Sequence, residues 1–307
     1  MDQMHTHRNI QRNRIIQEKA RAKNRWTMLL GAAAACCLIA RLPDVLMPAA
    51  GEIAANSRRS AQKTAARKVV TESAATPAVE DADELRSSDA WQDIFAQEDL
   101  YPTALIQDLE RNPEMLDFVS GYLTAMPEAT GGLTESELQE DCPLLIQWDE
   151  RWGYAPYGQS NIGISGCGPA CLSMVLFSLT RDPGLTPDAL AELAMDEGYY
   201  VSGSGTAWSF LTEVAPRYGV MPLQHDIWTE DMMKQYLEDG KLLILSMGPG
   251  DFTDEGHFIV VHGYEDGKLL INDPFSYANS SKAWEYSTIE DQCRQMWAYE
   301  ASGGFPR

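Results

Sequence analysis

The 307-residue sequence is poor in cysteine and histidine and, past its first quarter, in positive charge. Six cysteines are too few for a disulfide scaffold, and no Cys-x-x-Cys pair marks a structural zinc site. The five histidines show no metal-ligand spacing, so neither a metal nor another cofactor is expected. Residues 71–307 hold only 11 Lys/Arg against 41 Asp/Glu, a net charge of −30 that repels phosphate backbones and excludes nucleic acid as the partner. A full-length membrane span is also lacking. The strongest apolar run, residues 26–40 (WTMLLGAAAACCLIA), has 15 residues. As a helix it would rise about 22 Å, short of a ~30 Å hydrocarbon core.

What is there begins with a basic head: residues 1–70 hold 13 Lys/Arg and 4 Asp/Glu. Its charged stretch, residues 1–25, runs into the apolar segment, which reaches membrane length only by admitting Arg41, Pro43 and Asp44 on the way to Met47. The segment suits a signal-peptide core as well as an anchor. The long charged region before it, and the lack of a clean small-x-small site directly after it (Ala49-Ala50-Gly51 is the best and is weak), point to an uncleaved signal anchor over 26–47, with a cleaved signal peptide as the alternative. Within ~20 residues on either side, seven basic residues precede the run and three follow it (Arg41, Arg58, Arg59), so the N-terminus is expected inside and the acidic body outside the cytoplasm. Cys36 and Cys37 lie in this run and read as packing or lipidation residues.

Residues 48–88 carry Ala, Ser, Thr, Pro and charge without an apolar period, the pattern of a flexible tether. A helical preface is expected over 89–141. Tyr101-Pro102-Thr103 starts one helix that Asn112-Pro113 ends, and Pro113 opens another striped by Met115, Leu116, Phe118, Val119, Tyr122 and Leu123. It should pack on the body; an inhibitory prosegment is the alternative.

The body, 142–307, reads as a compact α+β domain. Gly168-Pro169 opens a helix to about Thr180 that is apolar almost all round and therefore buried. Thr186-Pro187-Asp188 caps a second helix, and a third and fourth follow over 206–218 and 229–239. Short β-type runs come next at 241–247, 258–264 and 269–271, then a Ser287-x-x-Glu290 capping box for a last helix.

Three residues in this body carry chemistry. Cys167, between two glycines, falls at or beside a helix N-terminus, where unpaired N–H groups and the dipole favour a thiolate. The flanking glycines would admit a substrate backbone; the alternative is a small buried cysteine in a tight turn. His257 starts an apolar strand, while His262, five residues on, points to the opposite face and reads as a strand-end histidine with a local hydrogen bond. Asp273 stands in Asn272-Asp273-Pro274, across a Glu265-Asp266-Gly267-Lys268 turn. If paired residue numbers across that hairpin sum to 530 or 532, His257 and Asp273 share a face; an odd sum separates them. The same Asp-Pro also suits a plain turn. Together the three fit a nucleophile, a base and an orienter.

The carriers are Pro143-Leu144-Leu145-Ile146-Gln147-Trp148-Asp149, Gly166-Cys167-Gly168-Pro169 with its apolar helix, Gly256-His257-Phe258-Ile259-Val260 and Asn272-Asp273-Pro274. In these the sequence resembles the papain-like cysteine peptidases related to the bacteriocin-processing, double-glycine leader peptidases, over about residues 142–300. The resemblance implies a papain-like α+β fold, in which a buried N-terminal helix bearing the cysteine packs on an antiparallel sheet bearing the histidine and aspartate. It implies Cys167 as nucleophile, His257 as general base and acid, Asp273 as orienter and Gln147 as an oxyanion-hole donor. Gln147 is 20 residues from Cys167, which requires the segment after Trp148 to loop out; Gln159 is the rival.

The expected function is that of a bacterial cysteine hydrolase, tethered to the membrane outside the cytoplasm and cutting peptide bonds. A cell-wall peptide amidase or endopeptidase is one alternative and a non-enzymatic surface binding module another. Outside the cytoplasm Cys142 and Cys293 are the expected disulfide pair, and Cys171, in the helix interior, reads as core. Trp148, Trp152, Tyr154 and Tyr157 line a groove or simply pack.

Overall fold

The computed structural model describes residues 81–303. The basic head, the apolar run with Cys36 and Cys37, and the tether up to residue 80 lie outside the described residues. Among those described, no helix is long and apolar enough to cross a membrane.

Residues expected at the end of the tether are helical. Asp81 accepts from Asp83 N to cap α1 (Ala82–Ser87), and Ser88 caps α2 (Asp89–Phe95). The preface continues with α3 (Thr103–Arg111) and α4 (Leu116–Gly121), as the apolar stripes require. Leu105, Leu109, Met115, Phe118 and Val119 form a cluster completed by Ile146, Trp148 and Phe275 of the body. The preface therefore packs on the body through its own apolar face. α4 stops at Gly121, which leaves Leu123 outside the stripe and 48% exposed. α5 (Glu135–Gln139) opens with a capping box, Thr134 with Glu137. Glu137 also receives both ends of the Arg151 guanidinium, at 2.6 and 2.7 Å. That pair ties the following loop to α5.

After a two-stranded hairpin, β1 (Pro156–Tyr157) and β2 (Ser160–Asn161), come the single turn α6 (Ile162–Ser165) and the central helix α7 (Cys167–Thr180). Every residue from Gly168 to Phe177 is buried, so α7 is the core helix its all-round apolar composition dictates. α8 (Pro187–Asp196) packs beside it. A short ribbon, β3 (Tyr200–Val201) with β4 (Gly205–Thr206), comes before the expected third helix, which is itself broken into the helix α9 (Trp208–Glu213) and a 3-10 turn over Ala215–Tyr218. Pro216, which cannot donate to a preceding turn, marks that break.

The sheet runs in the order β5 (Val220–His225), β10 (Cys293–Ala301), β6 (Leu242–Met247), β7 (His257–Glu265), β8 (Lys268–Asn272) and β9 (Trp284–Glu285). All neighbours are antiparallel. One face, with Ile244, Phe258, Val260, Trp297 and Tyr299, packs on α7. The other, with Leu243, Leu245, Ile259, Val261, Ile271 and Met296, is covered by Met233 of α10 (Glu230–Glu238) and Ile289 of α12 (Tyr286–Gln292). Between them, α11 (Tyr277–Ser280) is a single turn after β8. The fold is α+β as expected. Three strands of this sheet escape the sequence pattern: β10 is buried on both faces and shows no alternation, β5 carries Pro222, which an edge strand tolerates, and β9 is only two residues long. The last helix starts at Tyr286 with Glu285 as N-cap, so Ser287 lies within it and makes no capping box.

Candidate active site

Cys167 is the first residue of α7, with Gly166 at the N-cap. The glycines beside it make room for the chain's own packing. A Cβ on Gly166 would meet Ile162 O at 2.5 Å, and one on Gly168 would meet Thr206 Oγ1 at 2.6 Å. Both glycines seat the helix start tightly against α6 and β4.

His257 opens β7 and is 8% exposed. The β7–β8 register explains how Asp273 reaches it. Near the turn the pairs Glu265↔Lys268, Tyr264↔Leu269 and Gly263↔Leu270 have an odd sum, which would put His257 and Asp273 on opposite faces. An irregularity between Val261 and Gly263 leaves His262 unpaired, and beyond it Val261↔Ile271 and Val260↔Asn272 have an even sum. His257 and Asp273 then share a face, one diagonal apart, and His257 Nε2 lies 2.6 Å from Asp273 Oδ1. His262 bonds the Ile271 backbone, and burial holds its charge back.

Asp273 is fully buried and its carboxylate is saturated. Oδ1 also accepts from Phe275 N at 2.9 Å, and Oδ2 accepts from Asn279 Nδ2 at 2.8 Å. Its backbone N donates to Ser280 Oγ at 2.8 Å. The ring of His257 stands edge-on to Phe275, with centroids 6.2 Å apart. Cys167 is its other hydrogen-bonding side chain. With Nε2 given to Asp273, Nδ1 is the nitrogen left for the thiol. Burial opposes charge on His257, but the Asp273 carboxylate, its hydrogen bond and Cys167 outweigh that and lift the pKa to about 10.

Gln147 is buried between the residue after Asp273 and the turn before Cys167. Its backbone N donates to Pro274 O at 2.7 Å, and its Nε2 donates to Gly163 O at 2.8 Å and Ile164 O at 3.4 Å. The segment after Trp148 thus loops out and returns, as its spacing requires. The amide is turned toward the α6 carbonyls, and Oε1 is buried without a partner. Gln159 sits exposed at the β1–β2 turn, where its Oε1 accepts from Ser202 Oγ. Of the four aromatics, Trp152 and Tyr157 are fully buried, and Trp148 donates to Phe275 O at 2.8 Å. Tyr154 is half-buried, stacked on Phe118. Packing accounts for all four.

The expected disulfide is absent. Cys142 and Cys293 are both free thiols, and the sheet stands between them: Cys142 packs with the α7-side core and Cys293 with the opposite one. Burial raises the Cys142 thiol to about 11 and the Cys293 thiol to about 12. Cys171 is wholly buried, its pKa raised well above the ordinary by that burial, as a core cysteine's would be.

Sequence reasoning missed Phe275, Asn279 and Ser280, which hold Asp273, and Asp108 of α3. Asp108 lies close enough to His257 to feel its charge. Burial is the larger effect and raises the Asp108 carboxyl to about 7, against the pull of Arg111 and His257. Phe275, Asn279 and Ser280 reach Asp273 from two, six and seven positions along the chain, in a turn with no repeating pattern to single them out, and Asp108 reaches His257 only across the fold.

The family match agrees with this geometry. Residues 139–304 match the Peptidase_C39 like family, and the chain belongs to it. Among solved structures it is similar to the peptidase domain of Streptococcus ComA, a bi-functional ABC transporter involved in a quorum-sensing pathway. That similarity has 19% identity and a TM-score of 0.34, and covers 44% of this chain and 89% of that one. It is also similar to a C39-like peptidase from Bacillus anthracis, with 16% identity and a TM-score of 0.33, covering 44% and 88%. No curated protein matches the chain.

Proposed function

We propose that the protein is a cysteine peptidase that cuts amide bonds through Cys167, His257 and Asp273. One observation carries the reading: the His257 ring bridges a carboxylate on Nε2 and the helix-start thiol. Cys167 Sγ attacks the substrate carbonyl carbon. As the C–N bond breaks, His257 gives the Nδ1 proton to the departing amine, leaving an acyl thioester. A water then yields a proton to His257 and attacks the acyl carbon, the carboxylic acid leaves, and the thiolate–imidazolium pair is restored. Asp273 orients the ring and stabilises its charge throughout. Gln147 is the oxyanion donor of this scheme. Its 3.4 Å contact with Ile164 O is the weaker of two, and the one a substrate oxygen would replace.

The substrate is a peptide or a cell-wall peptide, met outside the cytoplasm by a body tethered through residues 26–47. The charge asymmetry about that run supports this side. Added protease should degrade the body of intact cells and spare residues 1–25; a body protected until lysis would overturn the topology. For the chemistry, a thiol-directed activity probe should label Cys167 and fail with Cys167→Ala. Labelled protein that digests purified wall is the amidase, one that digests only peptides the peptidase. Absence of labelling in the folded wild type would leave a binding module.

A further inference from the structure

Asp273 is held from two sides, and one side leads out of the family-matched region. Phe275 N and Asn279 Nδ2 grip its two carboxylate oxygens, while Ser280 Oγ accepts from its backbone N and donates to Ser276 O. All of these residues belong to the segment 275–280, which ends in the single turn α11. That segment is itself held by the preface. The Glu114 carboxylate accepts from Tyr277 N at 2.9 Å, Ala278 N at 2.8 Å and Ser276 Oγ at 3.1 Å. Asn112, 6% exposed, donates from Nδ2 to Phe275 O at 2.5 Å and accepts Glu114 N on Oδ1 at 3.2 Å. The Arg111 guanidinium lies over the Phe275 ring, 5.8 Å from its centroid, and pairs with Asp254 at 3.8 Å, three residues before His257. α3 also packs on α6, the turn that leads into Cys167.

We propose that Asn112 and Glu114 are positioning residues of the active site: through α11 they fix the 275–280 segment so that Asp273 Oδ1 meets His257 Nε2. Both lie upstream of the matched residues 139–304. A one-turn helix has no intrahelical partners for its first N–H groups, and cannot hold its own geometry. A carboxylate accepting two of those N–H groups and a hydroxyl makes the turn rigid through charge-assisted bonds. Asn279 then has one position from which to reach Asp273 Oδ2. The preface is on this account a working part of the enzyme, and its removal silences the site instead of releasing it. The inference rests on the peptidase reading.

The test uses the full chain with Glu114→Ala, Glu114→Gln and Asn112→Ala, and Glu110→Ala as an exposed control. Two readouts are taken: the imidazole titration of His257 by NMR, and the iodoacetamide alkylation rate of Cys167 by peptide mapping. The titratable side chains facing His257 are Asp273, Cys167 and Asp108. In Glu114→Ala the His257 midpoint should move down toward the ordinary histidine range, and alkylation at pH 7 should slow roughly 10- to 100-fold. Glu114→Gln, which keeps an acceptor oxygen, should recover part of both. Asn112→Ala should shift both less than Glu114→Ala. If the wild type shows a raised His257 midpoint and all three variants match it, the positioning role is wrong and the peptidase reading stands. If the wild type itself titrates as a free histidine and alkylates as a free cysteine, the peptidase reading falls. A variant too unstable to measure is replaced by Glu114→Asp, which shortens the reach of the same charge; a wild-type midpoint there overturns the positioning role.

Discussion

At the scale of single residues, the site asks a different job of each side chain. Cys167→Ala should abolish turnover with the fold intact, since one sulfur at a half-buried helix start contributes little to packing. His257→Ala removes base, acid and ion-pair partner together, and should leave a thiol that alkylates slowly at neutral pH. Asp273→Asn should be milder, because an amide can still orient the ring but carries no charge. It also turns one oxygen into a donor beside Asn279 Nδ2 or Phe275 N, so the His257 midpoint should fall from about 10. His262→Ala should keep nearly full activity and cost about 1 kcal/mol of stability, the worth of its bond to the Ile271 backbone. Cys167 alkylation rate against pH for the three variants that keep the thiol, with turnover for all four, checks the set. For Gln147 two effects are expected. Gln147→Ala should lower kcat roughly 10²–10³-fold. It should also lower stability by about 1–2 kcal/mol, because the amide braces Gly163 O. Gln159→Ala, at an exposed turn, should change neither. Steady-state rates and denaturant melts on the two glutamine variants separate these outcomes.

Among elements, the sheet acts as both scaffold and partition. Its β7–β8 hairpin would misplace the histidine by one face if every residue paired, and the single bulge at His262 restores the parity. The sheet also keeps Cys142 and Cys293 apart, each in a separate core. The expected outcome is that both alkylate in denaturant without prior reduction. A disulfide-linked peptide containing residues 142 and 293 would overturn the placement of these thiols on opposite faces. The helices of the preface, legible from Pro102 and Pro113 as starts and stops, proved to be a third packed layer that reaches the segment behind Asp273.

For the whole molecule, pH dependence follows from two buried groups of opposite sign. His257 has a folded pKa of about 10 against an ordinary 6.5, so the folded state holds its proton longer. The stability it supplies is full below about pH 6.5 and is lost as pH rises toward 10. Asp108, raised from 3.8 to about 7, also binds its proton more tightly when folded. Its contribution is full below about pH 4 and is lost between there and pH 7, where the buried carboxylate must ionise. Asp108→Asn should therefore match the wild type at pH 4 and exceed it at pH 8, by on the order of 1–2 kcal/mol after allowance for its partial exposure. Thermal melts of both proteins across that range test it, and equal melts at pH 8 would remove Asp108 from the account.

The sequence by itself determined the kind of fold and singled out Cys167, His257 and Asp273 as the candidate site. An all-round apolar run forces α7 into the core, a glycine-proline start puts Cys167 at its first residue, and apolar β-type runs place His257 at the head of one strand and Asp273 just past the end of its neighbour. These are local signals, written within a few residues of where they act. What only the tertiary structure decided is the register, the partition and the support. Parity across β7 and β8 depends on one unpaired residue that no period reveals, and a strand buried on both faces, such as β10, has no alternation to read. Glu114 meets the backbone of Tyr277 across 163 positions. Such a contact exists only after folding has brought two segments together, because the energy that fixes it comes from donors and acceptors that have no partner within their own stretch of chain.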